Sequence, residues 1–268
     1  SLLLFYGAEL LIASAKSIAS LFKIPKFIVG VTIIAFGTSL PELFVSIVAM
    51  FKNETELVLG NVIGSNITNI GLVLSVSVIL KTIYIDYGKI KNDILFMVIS
   101  TMVVVVSIWT NFLNYYCSII LFSSFAIYIY VMNIGDSGIN SDESSGSLYK
   151  DIFFITGSIF LLGFGTHLFI NGATGIALFL GVSKLIIGMT IVALGTSLPE
   201  LVTSLVSIRK KEYDFVIGNI IGSNIFNLIL VLAVSLMVSS INVANLNMNI
   251  ELLALVSLTL FLTIFIYF

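Results

Sequence analysis

The sequence predicts an all-α membrane protein of two inverted-topology repeats, each of five transmembrane helices. Helices two and seven are broken, and the tenth helix is absent from this chain. Three observations carry this reading. Of 268 residues, 59% are hydrophobic and only 10% charged, and mean hydropathy is +1.17. A soluble domain carries about 25% charged residues, so this is a polytopic membrane protein. Next, Gly30–Leu43 (GVTIIAFGTSLPEL) returns as Gly188–Leu201 (GMTIVALGTSLPEL), and GNVIGSNITN from Gly60 returns as GNIIGSNIFN from Gly218. Both pairs have the same offset, 158 positions, since 195 − 37 and 218 − 60 are equal. Finally, lysine and arginine fall almost wholly on alternate loops.

The elements follow in order. Leu2 to about Ser20 forms helix one, shorter than its counterpart Asp151–Leu180, so residues ahead of Ser1 are expected. Glu9 and His167 interrupt this pair of helices and read as satisfied packing groups rather than an ion path. Lys23-Ile24-Pro25-Lys26 is a turn. Helix two spans about Pro25–Phe51 with a break near Gly37, and helix three about Leu57–Leu80. Lys81–Lys91 is a polar turn. Asn92–Trp109 and Tyr115–Asn133 are plain apolar helices with no buried charge, their aromatics suited to an interfacial belt. Residues 134–150, rich in Gly, Ser, Asp and Glu, form a cytoplasmic linker between repeats 1–133 and 151–268. Helices six to nine follow at about 151–180, 183–208, 215–239 and 247–268, and the copy of Tyr115–Asn133 would lie beyond Phe268.

Lys16, Lys23, Lys26, Lys81, Lys89, Lys91, Lys150, Arg209, Lys210 and Lys211 lie near one set of loops, and only Lys52 and Lys184 near the other. The positive-inside rule makes the first set cytoplasmic and the N-terminus external. Five helices per repeat is an odd number, so the second repeat inserts upside down, the layout of secondary transporters. The single cysteine, Cys117, allows no disulfide within the chain. The net charge of −2 gives no reason to expect a nucleic-acid partner.

The chemistry concentrates in Gly37-Thr38-Ser39-Leu40-Pro41-Glu42 and Gly195-Thr196-Ser197-Leu198-Pro199-Glu200. Pro41 has no backbone N–H, so the Gly37 carbonyl loses its helical donor. Two hydroxyls stand beside that carbonyl, and a carboxylate follows. Carboxylates inside a membrane face protein or a wet cavity, and broken backbone at that depth is tolerated only there. Carbonyls, hydroxyls and carboxylates are the ligands of hard cations. A simple proline kink explains one copy; two matched copies point to a transport site. Asn61, Ser65 and Asn69 share one helix face at i, i+4, i+8, as do Asn219, Ser223 and Asn227. This polar face is expected to meet the break.

The paired GTSLPE and GxxxGSN blocks resemble the α-repeats of the cation/calcium exchanger superfamily, in particular its prokaryotic sodium/calcium exchangers. The resemblance covers the whole layout and is most specific in residues 30–72 and 188–230. It implies antiport of Ca²⁺ against Na⁺ by alternating access, at a midplane site, in a prokaryotic plasma membrane, by a chain expected to work as a monomer. It also implies a ligand set: Glu42 and Glu200, Thr38 and Thr196, Ser39 and Ser197, the Ala35 and Ala193 carbonyls, Ser65 and Ser223, and Asn69 and Asn227. Several members carry an acidic residue at the position of Asn227, so this site has one charge fewer and is more symmetric.

Ca²⁺ and Na⁺ enter as transported ions, and no cofactor is expected. Coupling to H⁺ or K⁺ instead of Na⁺ stays open, since glutamates bind protons as well as cations. A passive channel would need a continuous pore, usually ringed by several subunits. An enzyme is disfavoured because the sequence has neither HExxH nor GxSxG.

Overall fold

The computed structural model describes residues 2–84, 86–134, 147–181, 191, 193–244, 246 and 248–267. Most of the linker (135–146) and most of the first half of helix seven (182–190 and 192) lie outside the described residues. The described elements are helical: α1 (Leu2–Phe22), α2 (Lys26–Thr38), α3 (Leu40–Phe51), α4 (Thr55–Leu80), α5 (Tyr87–Trp109), α6 (Tyr115–Ile134), α7 (Leu148–Phe179), α8 (Ala193–Thr196), α9 (Leu198–Arg209), α10 (Tyr213–Val238) and α11 (Asn249–Tyr267). Six of these are long and apolar enough to cross a membrane alone, and α2 with α3 forms a further span bent by 42°.

The bend lies at Ser39, two residues past the glycine to which the sequence points. Ser39 and its mate Ser197 have nearly the same backbone (φ −84°, ψ 1° and φ −84°, ψ 7°). Pro41 and Pro199 sit within the first turn of α3 and α9, where a missing N–H costs nothing. Gly37 is helical and serves packing instead. A Cβ there would stand 3.0 Å from Ile159 Cγ1 of α7, and one on Gly195 only 2.5 Å from Ile170 Cγ1.

α10 is the axis of the molecule, buried without interruption from Phe215 to Ile229. It packs on α2, while α8 packs on α4, so each broken helix lies against the polar-faced helix of the other repeat. Small residues permit the α2–α10 approach. A Cβ on Gly218 would lie 2.5 Å from the Phe27 carbonyl oxygen, and one on Gly222 2.5 Å from that of Val31. α1 lies along α7 and α9, α5 along α11, and α6 along the end of α10. Phe153, Phe160 and Ile176 of α7 and Leu253, Phe261 and Phe265 of α11 stay exposed, as lipid-facing side chains do.

Two expectations are corrected. α5 starts at Tyr87, so the polar turn is shorter than Lys81–Lys91: Asp86 caps the helix by accepting from the Gly88 N–H at 3.0 Å. Nor are α5 and α6 free of buried charge. Asp93 is buried and accepts from the Tyr128 hydroxyl at 2.7 Å, and Tyr128 is stacked on Phe96 instead of joining an aromatic belt. The hydrogen bond makes this carboxylate tolerable, and nothing in the local sequence announces a partner 35 residues away.

Ion pairs tie α1 and α2 to the end of α9. Glu212, in the α9–α10 turn, binds Lys16 at 2.6 Å and Lys26 at 2.7 Å. Glu9 binds Arg209, and Lys210 at 2.8 Å, and Arg209 also covers the Phe5 ring. Glu9 is therefore a satisfied group. His167 is exposed and bonds Asn171 at 2.9 Å. Burial alone would push the Glu212 carboxyl up, but the hydrogen bonds and charges of Lys16 and Lys26 outweigh it and hold the group below its usual 4.5.

Two predictions follow from this packing. Gly222→Ala forces α2 and α10 apart and should lower thermal stability by about 1–3 kcal/mol, as overpacking does. Gly157→Ala, with nothing within 4 Å of the added carbon, should leave the melting temperature unchanged or higher. Because the folded Glu212 value is lowered, its stabilisation is full above the unfolded value near 4.5 and is lost as pH falls through the folded one. Melting of the detergent-solubilised protein across pH 3–6 should show this loss, and Glu212→Gln should flatten that part of the profile.

Candidate functional site

Each carboxylate of the repeated motif sits in the first turn of a half-helix that begins just after the break. That turn is held by an asparagine from the following helix of its own repeat. The Asn61 amide donates at 2.9 Å to the Glu42 carbonyl and at 2.9 Å to Ser46 Oγ. Asn219 does the same for Glu200, donating to its carbonyl at 3.4 Å, to Thr203 Oγ1 at 3.1 Å and to Ser204 Oγ at 3.4 Å.

The oxygens of the two asparagines face the other repeat. Thr38 Oγ1 reaches Asn219 Oδ1 at 3.1 Å, and Thr196 Oγ1 reaches Asn61 Oδ1 at 3.4 Å. This reciprocal exchange, residue for residue at the offset of 158, is the signature of a twofold relation between the repeats. Glu42, Glu200, Thr38 and Thr196 are fully buried.

The hydroxyls then break the symmetry. Thr38 has one proton to share between Asn219 Oδ1 and the Ala35 carbonyl at 3.2 Å, and it also lies 3.3 Å from Ser223 Oγ. Thr38, Ser39 and Ser223 gather around the Glu200 carboxylate, with Ser39 donating to Oε1 at 3.2 Å. Among the described residues, the Glu42 carboxylate accepts from no side chain, and Ser197 Oγ has no hydrogen-bond partner. The two carboxylates are near enough to feel each other's charge.

Asn69 opens a wide π-type turn, Asn69–Leu74, and Asn227 is the second residue of another, Phe226–Val231, a local widening often found at functional sites. Asn227 Nδ2 donates to Ser65 Oγ at 3.0 Å, and Asn69 Nδ2 to Asn224 Oδ1 at 3.3 Å. Their oxygens, Asn227 Oδ1 and Asn69 Oδ1, are buried without a partner. The Ala35 carbonyl accepts the Ser39 N–H at 3.0 Å in addition to the Thr38 hydroxyl. Ala193 opens α8.

The structure joins Thr38, Ser39, Glu200 and Ser223 around Asn219 in one buried group, and Glu42, Ser65, Thr196 and Asn227 around Asn61 in a second, each drawing on both repeats, while Asn69 bonds Asn224. Reading the sequence for ligands passed over Asn61 and Asn219, which hold the half-helices, and Asn66 and Asn224, which lie one position past the polar stripe. Asn66 and Asn224 were legible as part of the repeated Gly-Ser-Asn.

Comparison with known proteins agrees with this geometry. Residues 1–133 and 150–268 match the model of the family described as sodium/calcium exchanger protein. An uncharacterized membrane protein of Methanocaldococcus jannaschii is 36% identical over 265 residues, covering 97% of this chain and 86% of the relative. The sodium/calcium exchanger MaX1 of Methanosarcina acetivorans is 28% identical, covering 97% and 87%. Among solved structures, the sodium-calcium exchanger NCX_Mj soaked with Na⁺ and Sr²⁺ superposes with a TM-score of 0.86 at 32% identity, covering 99% of this chain and 87% of that one. The two repeats, the broken spans and the shared buried network are those of a transporter, and the chain belongs to the sodium/calcium exchanger protein family as a multi-pass membrane antiporter of the cation/calcium type, not an enzyme.

Proposed function

We propose that this chain exchanges Ca²⁺ for Na⁺ by alternating access, with the ions held between Glu42 and Glu200. The observation that carries the reading is a set of buried oxygens without hydrogen-bond partners among the described residues, all on the repeated motifs and the polar faces: both of Glu42, Oε2 of Glu200, Oγ of Ser197 and the Oδ1 atoms of Asn69 and Asn227. Orphaned buried acceptors are costly, and a cation removes that cost. Ca²⁺ takes 6–8 oxygen ligands, carboxylate, carbonyl and amide oxygens among them, the types these residues supply. Two carboxylates balance its charge. Mg²⁺ fits poorly, since it keeps its waters and avoids all-protein cages.

Antiport follows from electrostatics. With both carboxylates ionised, the empty site would carry two negative charges in a medium of low dielectric, where isolated charge is heavily penalised. Changing access is therefore disfavoured until the charge is matched, by one Ca²⁺ or by more than one Na⁺. The flanking hydroxyls of Thr38, Ser39, Thr196 and Ser197, the Ala35 and Ala193 carbonyls, and Ser65 and Ser223 offer places for the smaller charges. Protons could match the same charge, which makes Ca²⁺/H⁺ exchange the reading to be separated. The lysine and arginine distribution supports an external N-terminus and a cytoplasmic linker in a prokaryotic plasma membrane.

The test is Ca²⁺ uptake into proteoliposomes loaded with Na⁺, K⁺ or acid, one gradient at a time. Uptake driven by outward Na⁺ alone is expected; uptake driven only by the pH gradient would replace Na⁺ by H⁺ as the coupling ion. Glu42→Gln and Glu200→Gln each halve the charge facing the ion with little change of shape. Each should abolish Ca²⁺ transport while the protein keeps its size-exclusion profile, and near-normal uptake in either variant would overturn the site.

A further inference from the structure

We infer that Asn224 is a positioning residue that turns the Asn69 amide so that its oxygen, not its NH₂ group, faces the ion. The inference rests on the proposed cation site and concerns how one of its ligands is set.

An amide side chain presents an acceptor at one end and a donor at the other. A ligand asparagine is useful only if the acceptor faces the cation, and a flip of the same side chain would aim two N–H groups at a positive charge. Something must fix the sense. In the second repeat this is Ser65. Its proton goes to backbone carbonyls, Asn61 at 2.7 Å and Val62 at 3.2 Å. Ser65 Oγ can then only accept from Asn227 Nδ2, at 3.0 Å, and Asn227 Oδ1 is left free.

The twofold mate of that contact would join Ser223 to Asn69. It is absent from the described hydrogen bonds, because Ser223 is engaged by Thr38 at 3.3 Å and lies beside Glu200. Asn224 takes over. Its Oδ1 accepts from Asn69 Nδ2 at 3.3 Å, and its own Nδ2 points to Met97 Sδ at 3.8 Å. A thioether sulfur accepts but cannot donate. Met97 thus holds the donor end of Asn224, the acceptor end faces Asn69, and Asn69 Oδ1 is left without a partner. All three residues are essentially excluded from solvent, so no water competes for the bonds. The mate of Asn224, Asn66, donates instead to the Val62 carbonyl at 2.7 Å and plays no such part. Identical Gly-Ser-Asn triplets therefore do different work in the two repeats.

The test is equilibrium Ca²⁺ binding by calorimetry on the purified, detergent-solubilised chain in Na⁺-free buffer. Asn224→Leu removes the acceptor that orients Asn69 and should weaken binding roughly tenfold, about 1.4 kcal/mol. Met97→Leu conserves volume and should fold normally, with a shift of the same sign of about twofold, or 0.4 kcal/mol. Asn224→Asp keeps an acceptor toward Asn69 and should bind Ca²⁺ at least as tightly as the unmodified chain. In an Asn69→Ala background, Asn224→Leu should add no further loss. An equal loss in both backgrounds, or wild-type binding by Asn224→Leu, overturns the positioning role. Unchanged binding by Asn69→Ala alone would instead show that Asn69 is not a ligand, a failure of the site itself.

Discussion

Asn61 and Asn219 each do two things with one amide, and the centre of the molecule depends on the combination. The NH₂ end holds the first turn of the half-helix after the break, through the carbonyl of Glu42 or Glu200. The oxygen end accepts from the threonine just before the break in the other repeat. Pro41 and Pro199 make the chain discontinuous at membrane depth, which is tolerable only where protein supplies the lost partners. A single side chain thus fixes the direction of a carboxylate and joins the two repeats. Close approach of α2 to α10 over Gly218 and Gly222 brings Asn219 within reach.

The sequence symmetry of the site does not extend to its hydrogen bonds, and the reason is counting. A hydroxyl has one proton: Ser39 gives its own to Glu200 Oε1, whereas among the described residues the Glu42 carboxylate receives none. Two chemically identical glutamates therefore stand in different surroundings, one accepting from a hydroxyl of the other repeat and one whose carboxylate accepts from no described side chain. Asn227 adds to this. Being an amide, it brings an oxygen without a charge, so Glu42 and Glu200 supply the carboxylate charge of the network.

The ends of the molecule are joined by different physics. On the lysine-rich side, Glu212 and Glu9 draw Lys16, Lys26, Arg209 and Lys210 together, tying the first two helices of one repeat to the α9–α10 turn of the other. At the far ends of α5 and α10, the turns meet through neutral groups: the Ile241 N–H donates to the Leu113 carbonyl, the Val243 N–H to Asn111 Oδ1, and Asn111 Nδ2 to Asn242 Oδ1. Opening the first side separates charges; opening the second breaks only neutral hydrogen bonds. Partly exposed ion pairs weaken as salt rises, so the joint on the first side responds to ionic strength.

The sequence by itself determined the membrane class and the family, and it singled out the two glutamates that the fold buries, because hydropathy, duplication and a proline before a glutamate in an apolar helix are local properties. It also placed the helix ends within a few residues, except at Tyr87, where Asp86 caps α5 earlier than the charged residues imply. What it could not determine is which partner each polar group finds. Gly37 looks like the hinge but is a packing contact for α7, and the bend is at Ser39. Asp93 looks like a polar residue at a helix end but is buried under Tyr128. Ser223 and Ser65 are identical in sequence context but serve different neighbours. In each case the deciding contact comes from another helix, and only the packed structure decides which donor is close enough to spend its proton there.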